Sequence, residues 1–174
     1  TADVVAQFSH INIKNYPLRN LYVKGNYAQK KGNAVVKIHD KYCFMEAEGS
    51  MNLLLKDPSY HLSAEIEHFY PSKMFQHVPV IDSVNIKGFD KIIRYLQVNN
   101  EVILSVNSLS CDLNGSSLKT MSGNVFIDGI NFTQKSRQLE ADRIRLVVLN
   151  DGIYQKYHFT SDFFNAYLST NYNI

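Results

Sequence analysis

Apolar and polar residues alternate one by one along most of this chain, which is the period of a β-strand with one covered face. In Asn20–Gln29, Leu21, Val23 and Tyr27 fall on one side with Gly25 in line. Ala34, Val36 and Ile38 alternate with Val35, Lys37 and His39. A longer run puts Cys43, Met45, Ala47, Gly49, Met51, Leu53 and Leu55 on one face, against Glu46, Glu48, Ser50 and Asn52. Leu62, Ala64 and Ile66 then oppose His61, Ser63, Glu65 and Glu67. The breaks carry turn chemistry at Lys30-Lys31-Gly32-Asn33, His39-Asp40-Lys41 and Lys56-Asp57-Pro58-Ser59.

The meander pauses after residue 70. Pro71 to His77 reads as a short helix with its proline near the first position. Asp82 to Val98 fits a helix about as well as a strand. A second meander begins near Glu101, where Val102, Leu104 and Val106 alternate with Ile103, Ser105 and Asn107. Asn114 to Ser122 is polar, with room for one helical turn around Leu118. Asn124 to Thr133 reads as a strand with Phe126, Ile130 and Phe132 together, and Leu139 to Leu149 as one with Ile144, Leu146 and Val148 apolar. Asn150-Asp151-Gly152 is a hairpin signal, and Gln155 to Ser161 and Ala166 to Tyr172 close the chain.

The expected fold is therefore all-β and mainly antiparallel, an elongated curled sheet or open half-barrel with a short helical insert. Residues 1–174 form one segment: a first meander over 1–70, the insert over about 71–98 and a second meander over about 99–174. Both ends fall abruptly, which suggests a piece of a longer protein. A one-faced sheet must bury its apolar side. It does so either by closing into a sandwich or barrel, or by curling into a trough whose lining is left for a ligand.

Composition narrows the function classes. The chain is 45% hydrophobic and 12% aromatic with no tryptophan, a foldable balance. A net charge of +2, dispersed along the chain, gives no nucleic-acid footprint. Cys43 and Cys111 read as small half-buried hydrophobes in the reduced state.

The residues offer little chemistry. Of the six histidines, no pair has the H-x-x-x-H spacing, and no Cys-x-x-Cys occurs, so no metal site is expected. His61 and His68 should point to opposite faces. Glu46 with Glu48, and Glu65 with Glu67, have the look of a wet face rather than an acid–base pair. No nucleophile elbow, P-loop or dinucleotide fingerprint is present, so neither catalysis nor a cofactor is expected. Lys135, Arg137, Arg143 and Arg145 make a mild basic cluster. Asn114-Gly115-Ser116 and Asn131-Phe132-Thr133 are glycosylation triplets that matter only in a eukaryotic secretory setting.

The unit Asn15-Tyr16-Pro17-Leu18-Arg19-Asn20-Leu21-Tyr22-Val23-Lys24-Gly25-Asn26-Tyr27 is followed by Ala34 to Ile38 and by Phe44-Met45-Glu46-Ala47-Glu48-Gly49-Ser50-Met51-Asn52-Leu53. Then come the Asp57-Pro58 turn and Leu62-Ser63-Ala64-Glu65-Ile66. Later Leu113 to Val125 runs into Gly129-Ile130-Asn131-Phe132-Thr133. This order of elements resembles the TamB branch of the AsmA-like proteins, in particular the versions from Bacteroidota. It covers most of the chain and fits worst over Asp82 to Val98.

The resemblance implies a periplasmic segment of a protein anchored in the inner membrane. It implies a β-taco, a long sheet curled around a hydrophobic groove, that carries phospholipid acyl chains toward the outer membrane. It further implies cooperation of the full-length protein with an outer-membrane barrel of the BamA type in outer-membrane protein assembly. The family has no catalytic residues. The groove lining expected on this reading is Leu21, Val23, Tyr27, Val36, Met45, Met51, Leu53, Leu62, Ile66, Ile144, Leu146 and Val148. The rival reading is a structural or adhesive β-sandwich module with the same residues closed over a dry core.

Overall fold

A computed structural model describes residues 1–13, 16–54, 56–74, 102–117 and 119–171. The period-2 alternation resolves into ten strands: β1 (Ala2–Ile13), β2 (Tyr16–Ala28), β3 (Lys31–Asp40), β4 (Cys43–Asn52), β5 (Ser59–Phe69), β6 (Val102–Asn114), β7 (Ser122–Gln134), β8 (Arg137–Asn150), β9 (Tyr154–Ser161) and β10 (Asn165–Asn171). They form a single antiparallel sheet in chain order, open rather than closed into a barrel, with β1 and β10 at its edges. One helix, α1 (Pro71–Met74), begins with the expected proline and follows β5. The rest of the expected insert, including Asp82 to Val98, lies outside the described residues.

Several element boundaries differ from expectation for local reasons. The alternation of Ala2, Val4, Ala6 and Phe8 makes a full strand, β1, where none was assigned. The β2–β3 turn is Gln29-Lys30, both at positive φ (48° and 61°), so Lys31, Gly32 and Asn33 belong to the ladder. β4 ends at Asn52. Leu53 lies beyond it, its N–H donating to the Lys30 carbonyl at 2.8 Å. Residue 118, the centre of the suggested helical turn, is outside the described residues.

A more informative difference is a line of aligned irregularities across the sheet. Ile66 pairs with Val106 and Ala64 with Leu109, so β6 holds an extra residue between two apolar positions. The same three-residue step recurs from Ile127 to Ile130 in β7 and from Ala141 to Ile144 in β8. In β7 the step is made by Gly129, at φ +61°. The alternation therefore changes phase there, and Phe126 faces away from Ile130 and Phe132, contrary to the simple period-2 reading. A shift in β5 likewise brings His68, paired with Phe44, to the same face as His61.

The end of the sheet where β5 hands over to α1 is tightly packed. Leu18, Cys43, Pro71, Ser72 and Val102 are fully buried. Asp40, also buried, accepts the Tyr16 hydroxyl at 2.5 Å and the N–H groups of Arg19 (2.8 Å) and Tyr42 (2.9 Å). This is how a buried carboxylate becomes tolerable: three donors replace its water.

Candidate functional site

Antiparallel partners point to the same face, so register alone assigns every side chain to a side. One row crosses all ten strands: Val4, Gly25, Ala34, Gly49, Leu62, Cys111, Val125, Leu146, Phe159 and Ala166. None of these residues is polar or charged. The next row on this side is Ala6, Val23, Val36, Ala47, Ala64, Leu109, Ile127 and Ile144. Leu21 pairs with Ile38, which pairs with Met45, which pairs with Ile66. Tyr27 and Met51 flank Gly32 from either side, and Val148 pairs with Gly123 and Tyr157.

Eleven of the twelve expected lining residues are thus gathered on one continuous face, and Leu53 alone sits outside the ladder. Their cover is graded. Val148 is buried, while Leu21, Val23, Val36, Met45, Ile66, Ile144 and Leu146 are half-buried. Tyr27 (42%), Met51 (37%) and Leu62 (42%) are exposed. Val4 (56%) and Leu168 (60%) extend the exposed apolar surface to the edges. On β2, β4 and β5 this exposure lies away from the α1 end, whereas Val148 in the same row is covered. Sequence reasoning missed the contributions of β1, Leu109, Val125, Ile127 and Phe159. Each carries the same alternation.

The opposite face is polar. Its matching row reads Asp3, Asn26, Asn33, Ser50, His61, Asp112, Asn124, Val147, His158 and Tyr167. Lys37 and His39 both reach Glu46, at 2.6 and 2.9 Å, and hold its carboxyl below the usual range. His61 Nδ1 lies 2.6 Å from Asp112, and Arg143 3.4 Å from Asp128. These pairs are exposed and contribute little stability. Hollows of about 340 to 510 Å³ open along this face between β2 and β6, among residues such as Asn33, Glu46, Ser50, Glu65 and His61.

The remaining candidate chemistry stays dispersed. Among the described residues no three His, Cys, Asp or Glu side chains gather as a metal site. Glu48 faces Ser63, and Glu46 pairs across the ladder with Glu65. Of the basic cluster, Arg145 covers the Phe126 ring at 5.1 Å and Arg143 is taken by Asp128. Cys43 and Cys111 are unbridged, and burial pushes the Cys43 thiol up to about 11. Among the described residues no helix is long and apolar enough to cross a membrane. No protein-family model matches the chain, and neither the search of curated proteins nor that of solved structures returns a match.

Proposed function

We propose that this chain is a non-catalytic segment of a periplasmic, envelope-spanning protein of the TamB type, and that its apolar face carries phospholipid acyl chains. The observation that supports the reading is the unbroken non-polar row from Val4 to Ala166, which includes exposed Leu62 and is flanked by exposed Tyr27 and Met51. Each methylene in water costs about 0.8 kcal/mol, so a 16-carbon acyl chain costs on the order of 12 kcal/mol. A surface that is apolar strand after strand removes most of that cost at every point along a path. It needs no single strong site, which would trap the lipid. The polar side of the same sheet keeps the segment wettable. In the full-length protein this segment would work between an inner-membrane anchor and an outer-membrane barrel of the BamA type.

The test is mass spectrometry of lipid extracted from the purified chain, on three proteins. Met51→Asp places a charge on the apolar face, and Ser50→Asp places the same charge on the adjacent residue of the polar face. The expected result is phospholipid in the wild type and in Ser50→Asp, and a several-fold loss in Met51→Asp. All three melting temperatures should stay close, because Met51 is already 37% exposed. Lipid absent from the wild type, or lost equally from both variants, overturns the proposal. In a closed dry core, Met51→Asp would instead bury an unpaired charge at a cost of several kcal/mol and abolish folding.

A further inference from the structure

The antiparallel order puts four connections at one end of the sheet, opposite α1. They are Gln29-Lys30 between β2 and β3, residues 53–58 between β4 and β5, residues 115–121 between β6 and β7, and residues 151–153 between β8 and β9. Positive charge and exposed apolar side chains meet there. Lys30, Lys31 and Lys56 are exposed, and no ion pair holds them among the described residues. The described carboxylates of these connections are Asp57 and Asp151, and Lys156 takes Asp151 at 2.6 Å. Leu54 (55%) and Ile153 (60%) stand out from the same connections. A hollow of about 410 Å³ opens at this end. Its lining comes from both faces of the sheet: Met51, Tyr60 and Leu113 from the apolar one, Lys31, Asn52 and Asn114 from the polar one. Asp112, also on its wall, is occupied by His61 at 2.6 Å.

We infer that this end of the sheet holds the headgroup of an anionic phospholipid, an inference that rests on the acyl-carrying reading above. A phosphodiester is a net anion whose oxygens only accept hydrogen bonds. Lysine ammonium groups and the amide N–H groups of Asn52 and Asn114 are donors of the matching kind. The glycerol and ester region next to the phosphate needs an apolar neighbour, which Met51, Tyr60 and Leu54 supply. A lysine at such a boundary keeps its ammonium in water while its methylenes lie along apolar surface. A zwitterionic headgroup brings its own cation, so it gains less from three lysines than a net anion does. The α1 end lacks this combination. Lys41 is exposed there, but the apolar side chains Leu18, Cys43 and Val102 are fully buried.

The experiment measures headgroup preference separately from lipid binding. The purified chain is incubated with vesicles of phosphatidylglycerol and phosphatidylcholine in equal parts, with identical acyl chains. The lipid it carries away is then quantified by mass spectrometry. The wild type should carry several-fold more phosphatidylglycerol at low salt, and the ratio should fall toward one at high salt, because salt screens exposed charges. Lys30→Gln, Lys31→Gln and Lys56→Gln combined, with folding checked by circular dichroism, should bring the ratio to one at low salt. Lys41→Gln should keep the wild-type ratio. Excess inorganic phosphate at constant ionic strength should leave the ratio unchanged, and its abolition would assign the site to the free anion and overturn the inference. A wild-type ratio of one overturns the inference and leaves the acyl-carrying reading intact. A wild type that carries neither lipid overturns both. A triple variant that keeps the preference, or a Lys41→Gln variant that loses it, places the selectivity elsewhere and overturns the inference alone.

Discussion

A single buried carboxylate, Asp40, ties β2, β3 and the β3–β4 turn together. Its three donors are Tyr16 Oη and the N–H groups of Arg19 and Tyr42. Asp40→Ala leaves all three without a partner, at about 1–3 kcal/mol for each donor that stays dry. Tyr16→Phe removes one donor and leaves two. The midpoint of urea unfolding should therefore fall more for Asp40→Ala than for Tyr16→Phe, and least for the half-buried Lys37→Ala. Equal effects would remove Asp40 from this role. Cys43 is the pH-sensitive neighbour. Its thiol is ordinarily half-ionised at 9.0 and burial raises this to about 11. The unfolded chain thus loses its proton first as pH rises, so the contribution is intact below pH 9 and is lost progressively up to about 11. Alkaline unfolding should be shallower in Cys43→Val. Little of this was legible beforehand. His39-Asp40-Lys41 reads as turn chemistry, and nothing in the spacing of Tyr16 and Asp40 says that they meet. The apolar positions were legible, because alternation assigns a face residue by residue.

Elements tell a similar story at their ends and breaks. A two-residue Gln29-Lys30 turn at positive φ does not carry the Asn or Gly that such a turn favours. The chain around it reads instead toward Gly32. Replacing Lys30 with Gly should raise stability by about 0.5–1 kcal/mol, measured by urea unfolding. The phase change in β6, β7 and β8 was written in the sequence as the apolar spacing Val106 to Leu109, Ile127 to Ile130 and Ala141 to Ile144, and a strict period-2 template passes over it. Gly129 is the residue that permits it. A Cβ there would run into the Asn107 side-chain amide, in a backbone conformation at φ +61°. Gly152 also has a positive φ, +88°, but a Cβ there meets nothing within 4 Å. Gly129→Ala should therefore cost clearly more than Gly152→Ala, which bears only the backbone term of about 1 kcal/mol. Similar losses at both sites would mean that the close approach of Asn107 contributes nothing.

At the scale of the molecule, alternation fixed the class but not the closure. A strand with one wet face reads the same in a sandwich, a barrel and an open sheet, so the openness of this one had to be seen in the structure. Its consequence for the proposed transport surface is the exposed stretch through Tyr27, Met51 and Leu62, opposite in position to the packed α1 end. The consecutive order of the strands also has a mechanical meaning. Among the described residues each strand pairs only with its neighbours in chain order. Tension applied to the two ends therefore falls first on β1 and β10 and opens their hydrogen bonds one at a time, as a zipper opens, rather than loading many bonds together in shear. Each strand that leaves exposes the next as the new margin. In an optical trap the chain should yield in small successive steps at low force, with the bond network around Asp40 giving way late. A sheet built this way is soft along the line of pull and firm across it, a material property set by nothing more than the sequence in which its strands are laid down.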